Sequence, residues 1–285
     1  MVKQLKLWVI LAFVAVVVLS CSTTRNESKS MALGNLPPLS ELYAIHDSIV
    51  KEAWLLYYSE RVNWVATDLL LEKYNYDDIG STLSWQPNDS VWAALFFDKA
   101  NENCLFEYRY NILSGQADTI YTMRPITDVE KSVRQQHEQM FKRALDKYGE
   151  RLLFADQSFG SPNIDFVKIN SKLTRIYFLQ GTVLPNVIPF GNDYSVDIDA
   201  NLKPVAFHKY HNSLIPVKTK TDDGQSVRKI VHSHLKDNPY ITATDICNFL
   251  LYGSEDLDSF SVYSTAYSCY FAYMLNLNQI ITITD

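Results

Sequence analysis

The sequence lacks the short motifs of several common functional classes. It has only 9 glycines in 285 residues, with no glycine-rich phosphate-binding loop and no Gly-x-Ser-x-Gly elbow. The net charge is −6, and the sequence contains no cluster of lysine or arginine. Binding to nucleic acid depends on such clusters to neutralise phosphates. The sequence therefore gives no support for an NTPase, a serine hydrolase or a nucleic-acid-binding protein.

Cysteine is also scarce, and its spacing excludes a cysteine-based metal site. The chain has four cysteines and no Cys-x-x-Cys pair. Three of them, Cys104, Cys247 and Cys269, lie far apart along the chain. We expect three buried, apolar-like thiols. One disulfide with one free thiol is the alternative for an oxidising compartment.

Long apolar runs are absent except at the N-terminus. Lys3 and Lys6 precede an unbroken apolar run over residues 7–19, which is short for a transmembrane helix and typical of a signal peptide. The residues Val-Leu-Ser-Cys that end at Cys21 resemble the bacterial lipobox. The resemblance implies a lipoprotein signal peptide over residues 1–21 and lipidation of Cys21. An ordinary signal peptide cut near Ser20, or a retained signal anchor, is the alternative.

A lipidated Cys21 would fix the mature chain to a membrane of the cell envelope, because acyl chains anchor proteins stably when two or more are attached. Ser22 follows the cysteine, and the absence of Asp at that position favours the outer membrane. Residues 22–36 are polar and predict a flexible tether.

Beyond the tether, helix-like and strand-like patterns alternate and predict the α+β class. A helical and β-hairpin domain is expected over residues 37–155, with helices at 40–58, 60–73 and 127–148 and a hairpin at 91–98 and 104–112. Residues 156–285 are mostly strand-like and predict a second, mixed β-sheet domain with helices. The boundary is placed in the Gly- and Pro-containing segment that precedes residue 164.

The most informative stretch lies in this second domain. His232 and His234 end a strand, and residues two apart on a strand point to the same face. After seven intervening residues, Thr242 is the expected N-cap of a helix, and Asp245 lies in its first turn. A strand end and a helix start, joined by a short loop, can bring two imidazoles and one carboxylate to a single cation. This donor set suits Zn²⁺.

The spacing His-x-His-x(7)-Thr-x-x-Asp resembles the His-x-His-x(7)-Ser-x-x-Asp signature of the JAMM (MPN-plus) metalloprotease family. The resemblance implies a JAMM-like domain over residues 156–285, with His232, His234 and Asp245 as zinc ligands. Thr242 would replace the family serine, which helps to stabilise the tetrahedral intermediate. The implied activity is a zinc-dependent peptidase or isopeptidase-like hydrolysis of a peptide or protein substrate.

Two departures from the family pattern leave catalysis open. Leu235 stands where the family usually has proline, and no glutamate occurs between Glu150 and Glu255 to serve as the family's upstream general base. Asp165 or Asp193 could replace that base, and we assign the role to Asp193 as a prediction. Without a positioned carboxylate, deprotonation of a zinc-bound water is harder. The alternative is a non-catalytic, JAMM-like envelope lipoprotein that binds a peptide or glycan partner.

Two further alternatives concern the same residues. Thr242 and Asp245 also fit a helix capping box, which needs no metal. His208 and His211 lie three residues apart, so on a strand they face opposite sides. One of them could approach the metal site or act as a proton shuttle, or both could be ordinary imidazoles of the core or sheet edge.

Overall fold

Helices and mostly antiparallel sheets make up residues 35–152 and 159–284, which are the residues that the computed structural model describes. This mixture confirms the predicted α+β class. The leader, Cys21, the tether up to residue 34 and the predicted boundary between residues 155 and 156 lie outside the described residues. The described residues from Asn35 onward group as one compact unit.

A single long helix, α1 (Leu39–Leu71), organises this unit. The sequence predicted two helices here, but no glycine or proline interrupts the chain near residue 59, and Ser59 and Glu60 are both buried within the continuous helix. Successive segments of α1 pack against different sheets, because its buried positions recur at helical spacing along its whole length. They are Leu42, His46, Val50, Ala53, Leu56, Ser59, Glu60, Val62, Ala66 and Leu70.

The first sheet packs against the C-terminal part of α1. Its strands are β1 (Ile79–Asn88), β2 (Val91–Asp98), β3 (Asn103–Asn111), β4 (Gln116–Ile120) and β5 (Arg124–Pro125). The order is β1-β2-β3-β4, with β5 paired to β3, and every pair is antiparallel. The predicted hairpin is confirmed as β2 and β3. Val62, Ala66 and Leu70 of α1 join Trp92 and Phe106 in the shared core.

The second sheet packs against helix α2 (Asp128–Tyr148). The helix predicted over residues 127–148 is confirmed, and Thr127 and Glu130 form a capping box at its start. Met140 and Ala144 of α2 contact the apolar face of the sheet. The strands, in the order β10-β9-β7-β6, are β6 (Pro162–Asn170), β7 (Leu173–Gln180), β9 (Tyr194–Asp199) and β10 (Pro204–Lys209).

Two smaller sheets complete the described part of the chain and share a core with the N-terminal part of α1. One pairs β8 (Val187–Gly191) with β11 (Leu214–Lys218). The other has the order β12-β13-β14-β15, in which β12 and β13 are parallel and are connected through helix α3 (Ala243–Tyr252). Its strands are β12 (Val231–His234), β13 (Ser259–Ser264), β14 (Cys269–Met274) and β15 (Gln279–Ile283).

Candidate metal centre

Three imidazoles and one carboxylate converge at the junction of these elements. His232 and His234 come from β12, Asp245 from the first turn of α3, and His211 from the segment between β10 and β11. One ligand atom from each of the four lies within 4.8 Å of the other three. The side chains are buried, with exposed fractions of 0–3%. This group can hold a metal ion.

Local structure places three of the four donors as the sequence predicted. Burial alternates along β12, so His232 and His234 point to the same interior face. The loop that follows ends at Thr242, whose side chain caps α3 by accepting the N–H of Asp245. The capping box therefore turns the Asp245 side chain back toward the end of β12.

The donor atoms lie at separations close to those around a tetrahedral ion. His234 Nε2 is 2.8 Å from His211 Nε2 and 3.1 Å from His232 Nε2. Asp245 Oδ1 is 3.2 Å from Nε2 of both His211 and His232, and Oδ2 is 3.4 Å from His234 Nε2. Donors bound to zinc at 2.0–2.1 Å stand about 3.3–3.4 Å apart in a tetrahedron. Small outward shifts of the imidazoles would accommodate the ion.

Outer contacts orient two of the imidazoles. His234 Nδ1 is 2.6 Å from the carbonyl oxygen of Tyr240, and His211 Nδ1 is 2.8 Å from Asp193 Oδ1. Both partners are acceptors, which favours a proton on Nδ1 and leaves Nε2 free to face the centre. Carbonyl and carboxylate partners of this kind fix the tautomer of metal-binding histidines and raise their basicity.

Asp245 caps its helix and also faces the imidazoles, so its position fits both of the roles considered from the sequence. Its Oδ2 accepts hydrogen bonds from the backbone N–H of Thr242 at 2.9 Å and from its hydroxyl at 2.8 Å. Its Oδ1 is buried, accepts no hydrogen bond from the residues that the structure describes, and lies 3.2 Å from Nε2 of two imidazoles. A buried carboxylate oxygen without a partner is costly unless a cation binds it. One oxygen thus caps the helix, and the other remains for a metal.

The charges in this cluster give His211 and His234 very different pKa values. Burial lowers the pKa of His211, but the carboxylates of Asp193 and Asp245 outweigh it and hold that pKa well above the ordinary value. Burial lowers the pKa of His234 to about 4, assisted by the neighbouring imidazoles. Burial opposes ionisation of Asp245, yet the three imidazoles hold its pKa well below the ordinary value. Before a metal binds, His211 is therefore protonated more readily than His234.

The other predicted site residues have separate positions. Asp193 is fully buried and contacts His211 Nδ1 and the Thr244 hydroxyl. Asp165 lies in β6, where it accepts a hydrogen bond from Ser59 of α1, outside the metal cluster. His208 contacts Asp197 of β9, so it and His211 diverge as their spacing predicts.

The sequence did not assign His211 and Thr244 to the centre. His211 lies 21 residues before His232 and 34 before Asp245, and its spacing from His208 gave the only hint. Thr244 Oγ1 donates to Asp193 and is 2.8 Å from the Thr242 hydroxyl. Its role as a link between the helix N-terminus and Asp193 has no sequence signature.

The predicted state of the cysteines is confirmed. Cys104, Cys247 and Cys269 are free and buried. Each packs within an apolar cluster, on β3, α3 and β14 respectively.

Comparison with known proteins identifies no family for this chain. No family model, no curated protein and no solved structure matches it. Within residues 35–152 and 159–284, no helix is long and apolar enough to cross a membrane.

Proposed function

We propose that the protein is a zinc-binding lipoprotein of the cell envelope, anchored through Cys21, in which the metal has a structural role. The observation that carries the proposal is the set of four buried donors, His211, His232, His234 and Asp245. Structural zinc sites are closed by four protein ligands, whereas catalytic sites have three and keep a position for water. His211 supplies the ligand that would otherwise be that water.

The position of Asp193 also supports a non-catalytic centre. A general base must lie within hydrogen-bond reach of the attacking water. The Oδ1 atom of Asp193 lies 2.8 Å from His211 Nδ1, and its Oδ2 accepts from Thr244. One oxygen of Asp193 thus contacts the candidate ligand His211, and the other holds the first turn of α3 through Thr244. The residue assigned as a base from the sequence is better suited to orient His211.

Charge balance favours a divalent ion at this position. Asp193 and Asp245 are two buried carboxylates with exposed fractions of 0% and 1%. A bound divalent cation would neutralise both while the three imidazoles remain neutral. Three imidazoles and one carboxylate suit zinc among the available divalent metals, although copper, iron and nickel also accept imidazole. The ion would link β12, α3 and the segment after β10.

Metal content tests this proposal. The protein from Ser22 onward is purified without added metal and analysed by mass spectrometry, beside His211→Ala, His232→Ala and Asp245→Ala. We expect about one zinc per chain in the wild type and loss of metal in all three variants. His208→Ala is the matched control, since His208 lies on the same segment and contacts Asp197 instead. A wild-type protein that takes up no metal even after zinc is added would refute the proposal.

A zinc-dependent hydrolase is the second candidate. It is favoured by the JAMM-like spacing of His232, His234, Thr242 and Asp245, and by the parallel strands β12 and β13 that flank α3. In that case His211 would have to leave the ion to admit water. Peptide and isopeptide substrates incubated with the zinc-loaded protein decide between the two. Cleavage that His234→Ala abolishes would establish the hydrolase, and we expect none.

Membrane anchoring is tested separately. We expect the full-length protein expressed in bacteria to incorporate labelled palmitate and to partition into detergent. Cys21→Ser should lose both properties, because the acyl chains attach through this residue in the lipobox reading. Cys104→Ser is the control thiol, since it lies buried in the first sheet. Palmitate on the Cys21→Ser variant would contradict the lipoprotein assignment.

A further inference from the structure

A cavity of about 580 Å³ lies between the N-terminal half of α1 and the loop that precedes α3. Its volume falls within the range of small-molecule sites. The loop residues Asp237–Ala243 form one wall. The metal cluster lies on the other side of this loop, where the Tyr240 carbonyl contacts His234. None of the four donors lines the cavity, although two residues of its wall, Tyr240 and Thr242, also contact the donors His234 and Asp245.

Most of the cavity wall is apolar. Residues of α1 and of the loop provide aliphatic surface on two sides, and Tyr210 and Tyr240 also belong to the lining. Aliphatic and aromatic walls of this kind favour the apolar body of a ligand. The aliphatic lining residues are Ala44, Ile45, Ile49, Pro239, Ile241 and Ala243.

The charged groups of the lining are predominantly acidic. Glu41, Glu52 and Asp237 are carboxylates, and Arg175 is the only cationic side chain among the lining residues. The Arg175 guanidinium is already paired, with Asp197 at 2.6 and 3.0 Å and with Glu52 at 2.6 Å. It is therefore not available to attract an anion. The field inside the cavity favours a cation.

Glu52 is the best-placed carboxylate for a ligand. It lies on α1 at the inner end of the lining, and its side chain is 17% exposed. Arg175 and the Tyr177 hydroxyl both donate to its Oε1 atom. Its Oε2 accepts no bond from the described residues. Tyrosine rings nearby can add cation–π attraction for an ammonium group.

We propose that this cavity binds an organic amine, a primary ammonium group carried on an apolar body. The ammonium would lie against Glu52 and between the rim carboxylates Glu41 and Asp237. The apolar body would lie along Ile45, Ile49 and the loop. The volume and the apolar walls indicate a small apolar body. The acidic lining, in which the arginine is already paired, indicates a cationic group.

A matched ligand series tests the proposal on the full chain in detergent micelles, with empty micelles subtracted. The probes are 2-phenylethylamine, 3-phenylpropanoate and 2-phenylethanol, which share a similar body and differ in charge. Titration calorimetry should show the amine binding at least about tenfold more tightly than the other two. Equal or tighter binding of the carboxylate or the alcohol would overturn the assignment.

Variants locate the binding. Glu52→Gln and Asp237→Asn should each weaken the amine by roughly fivefold to tenfold, since each removes one carboxylate. Asp47→Asn is the matched control, because Asp47 lies on α1 but lines a different cavity. Ser48→Trp, at an exposed position of the lining, should fill the space and abolish binding.

Zinc content and circular dichroism of each variant separate this result from the metal proposal. Unchanged amine affinity in Ser48→Trp, with normal zinc and circular dichroism, would overturn the cavity assignment. Loss of amine binding in a variant that retains zinc would support it. If Glu52→Gln fails to fold, the exposed Glu41 and Asp237 provide the same comparison through Glu41→Gln and Asp237→Asn.

Discussion

At the scale of single residues, His211 connects two buried carboxylates. Its Nδ1 contacts Asp193 at 2.8 Å, and its Nε2 lies 3.2 Å from Asp245 Oδ1. Asp193 would therefore act on a bound metal only through the imidazole. A carboxylate that fixes the tautomer and basicity of a ligand strengthens metal binding without joining the ion.

Replacing Asp193 by asparagine should weaken metal binding without changing the number of ions bound per chain. We expect Asp193→Asn to lower zinc affinity by about 10- to 100-fold, because the amide keeps the shape but loses the charge. Competition with a chromophoric chelator measures this difference. Asp199→Asn, on the neighbouring β9 strand, is the control. Unchanged affinity in Asp193→Asn would argue against His211 as a ligand.

A second acidic pair lies where α1 meets β6. Glu60 and Asp165 are both buried; Asn163 donates a hydrogen bond to Glu60, and Ser59 donates one to Asp165. Burial raises the pKa of Glu60 well above the ordinary value, and the adjacent Asp165 adds to this effect. Burial likewise raises the pKa of Asp165. Two buried carboxyl groups near each other resist simultaneous ionisation, because their like charges repel in a poorly solvated site.

The sign of the resulting pH dependence follows from these raised values. Folded-state pKa values above the unfolded ones, about 4 for these residues, stabilise the protein below that pH, and this contribution is lost as the pH rises through the folded values. Glu60→Gln removes one ionisation. We expect its free energy of unfolding to fall less than that of the wild type between about pH 5 and about pH 8. Denaturant titrations measure this, with Glu72→Gln as an exposed control. Parallel pH profiles for both proteins would contradict the prediction.

At the scale of elements, helices α2 and α3 begin with the same device. Thr127 and Thr242 each cap their helix within a capping box, completed by Glu130 and Asp245 respectively. Such caps stabilise a helix by satisfying N–H groups that have no partner within it. Only the cap of α3 also holds a candidate metal ligand.

This similarity provides a matched pair of variants. Thr242→Ala and Thr127→Ala should each lower the free energy of unfolding of the metal-free protein by about 1 kcal/mol. Only Thr242→Ala should also weaken zinc binding, because the Thr242 hydroxyl donates a hydrogen bond to Asp245 Oδ2 at 2.8 Å. Denaturation with chelator present and zinc competition measure the two effects. Equal zinc affinity in the two variants would show that the cap does not position the ligand.

At the scale of the whole molecule, the metal centre joins segments that are distant in sequence. His211 follows β10, His232 and His234 lie on β12, and Asp245 begins α3. A ligand that binds only the folded state stabilises it by mass action. A metal ion bound at the candidate centre would therefore cross-link the second sheet and the last one.

Zinc should accordingly raise the melting temperature of the chain. At a free concentration about 100 times the dissociation constant, the stabilisation is about 2.7 kcal/mol, which corresponds to roughly 5–10 °C for a protein of this size. Scanning calorimetry with zinc and then with chelator measures the shift and its reversal. His232→Ala should show no zinc-dependent shift. A shift of the same size in that variant would indicate that zinc stabilises the protein elsewhere.

The sequence by itself determined the features that depend on near neighbours. Strand alternation put His232 and His234 on one face, and the capping boxes fixed the starts of α2 and α3. These patterns can be recognised in the sequence because the side-chain direction of a strand repeats every two residues and a capping box joins residues three positions apart. The apolar character of the three buried cysteines followed in the same way.

Tertiary structure decided the rest. His211 reaches the centre because β10 pairs with β9 and delivers its following segment beside β12, a placement that no local pattern records. The same packing placed Asp193 against His211. It also made α1 continuous, since successive segments of the helix bury their apolar side chains against different sheets. Contacts between distant residues depend on how whole elements bury their apolar surfaces, and that is settled only in the folded chain.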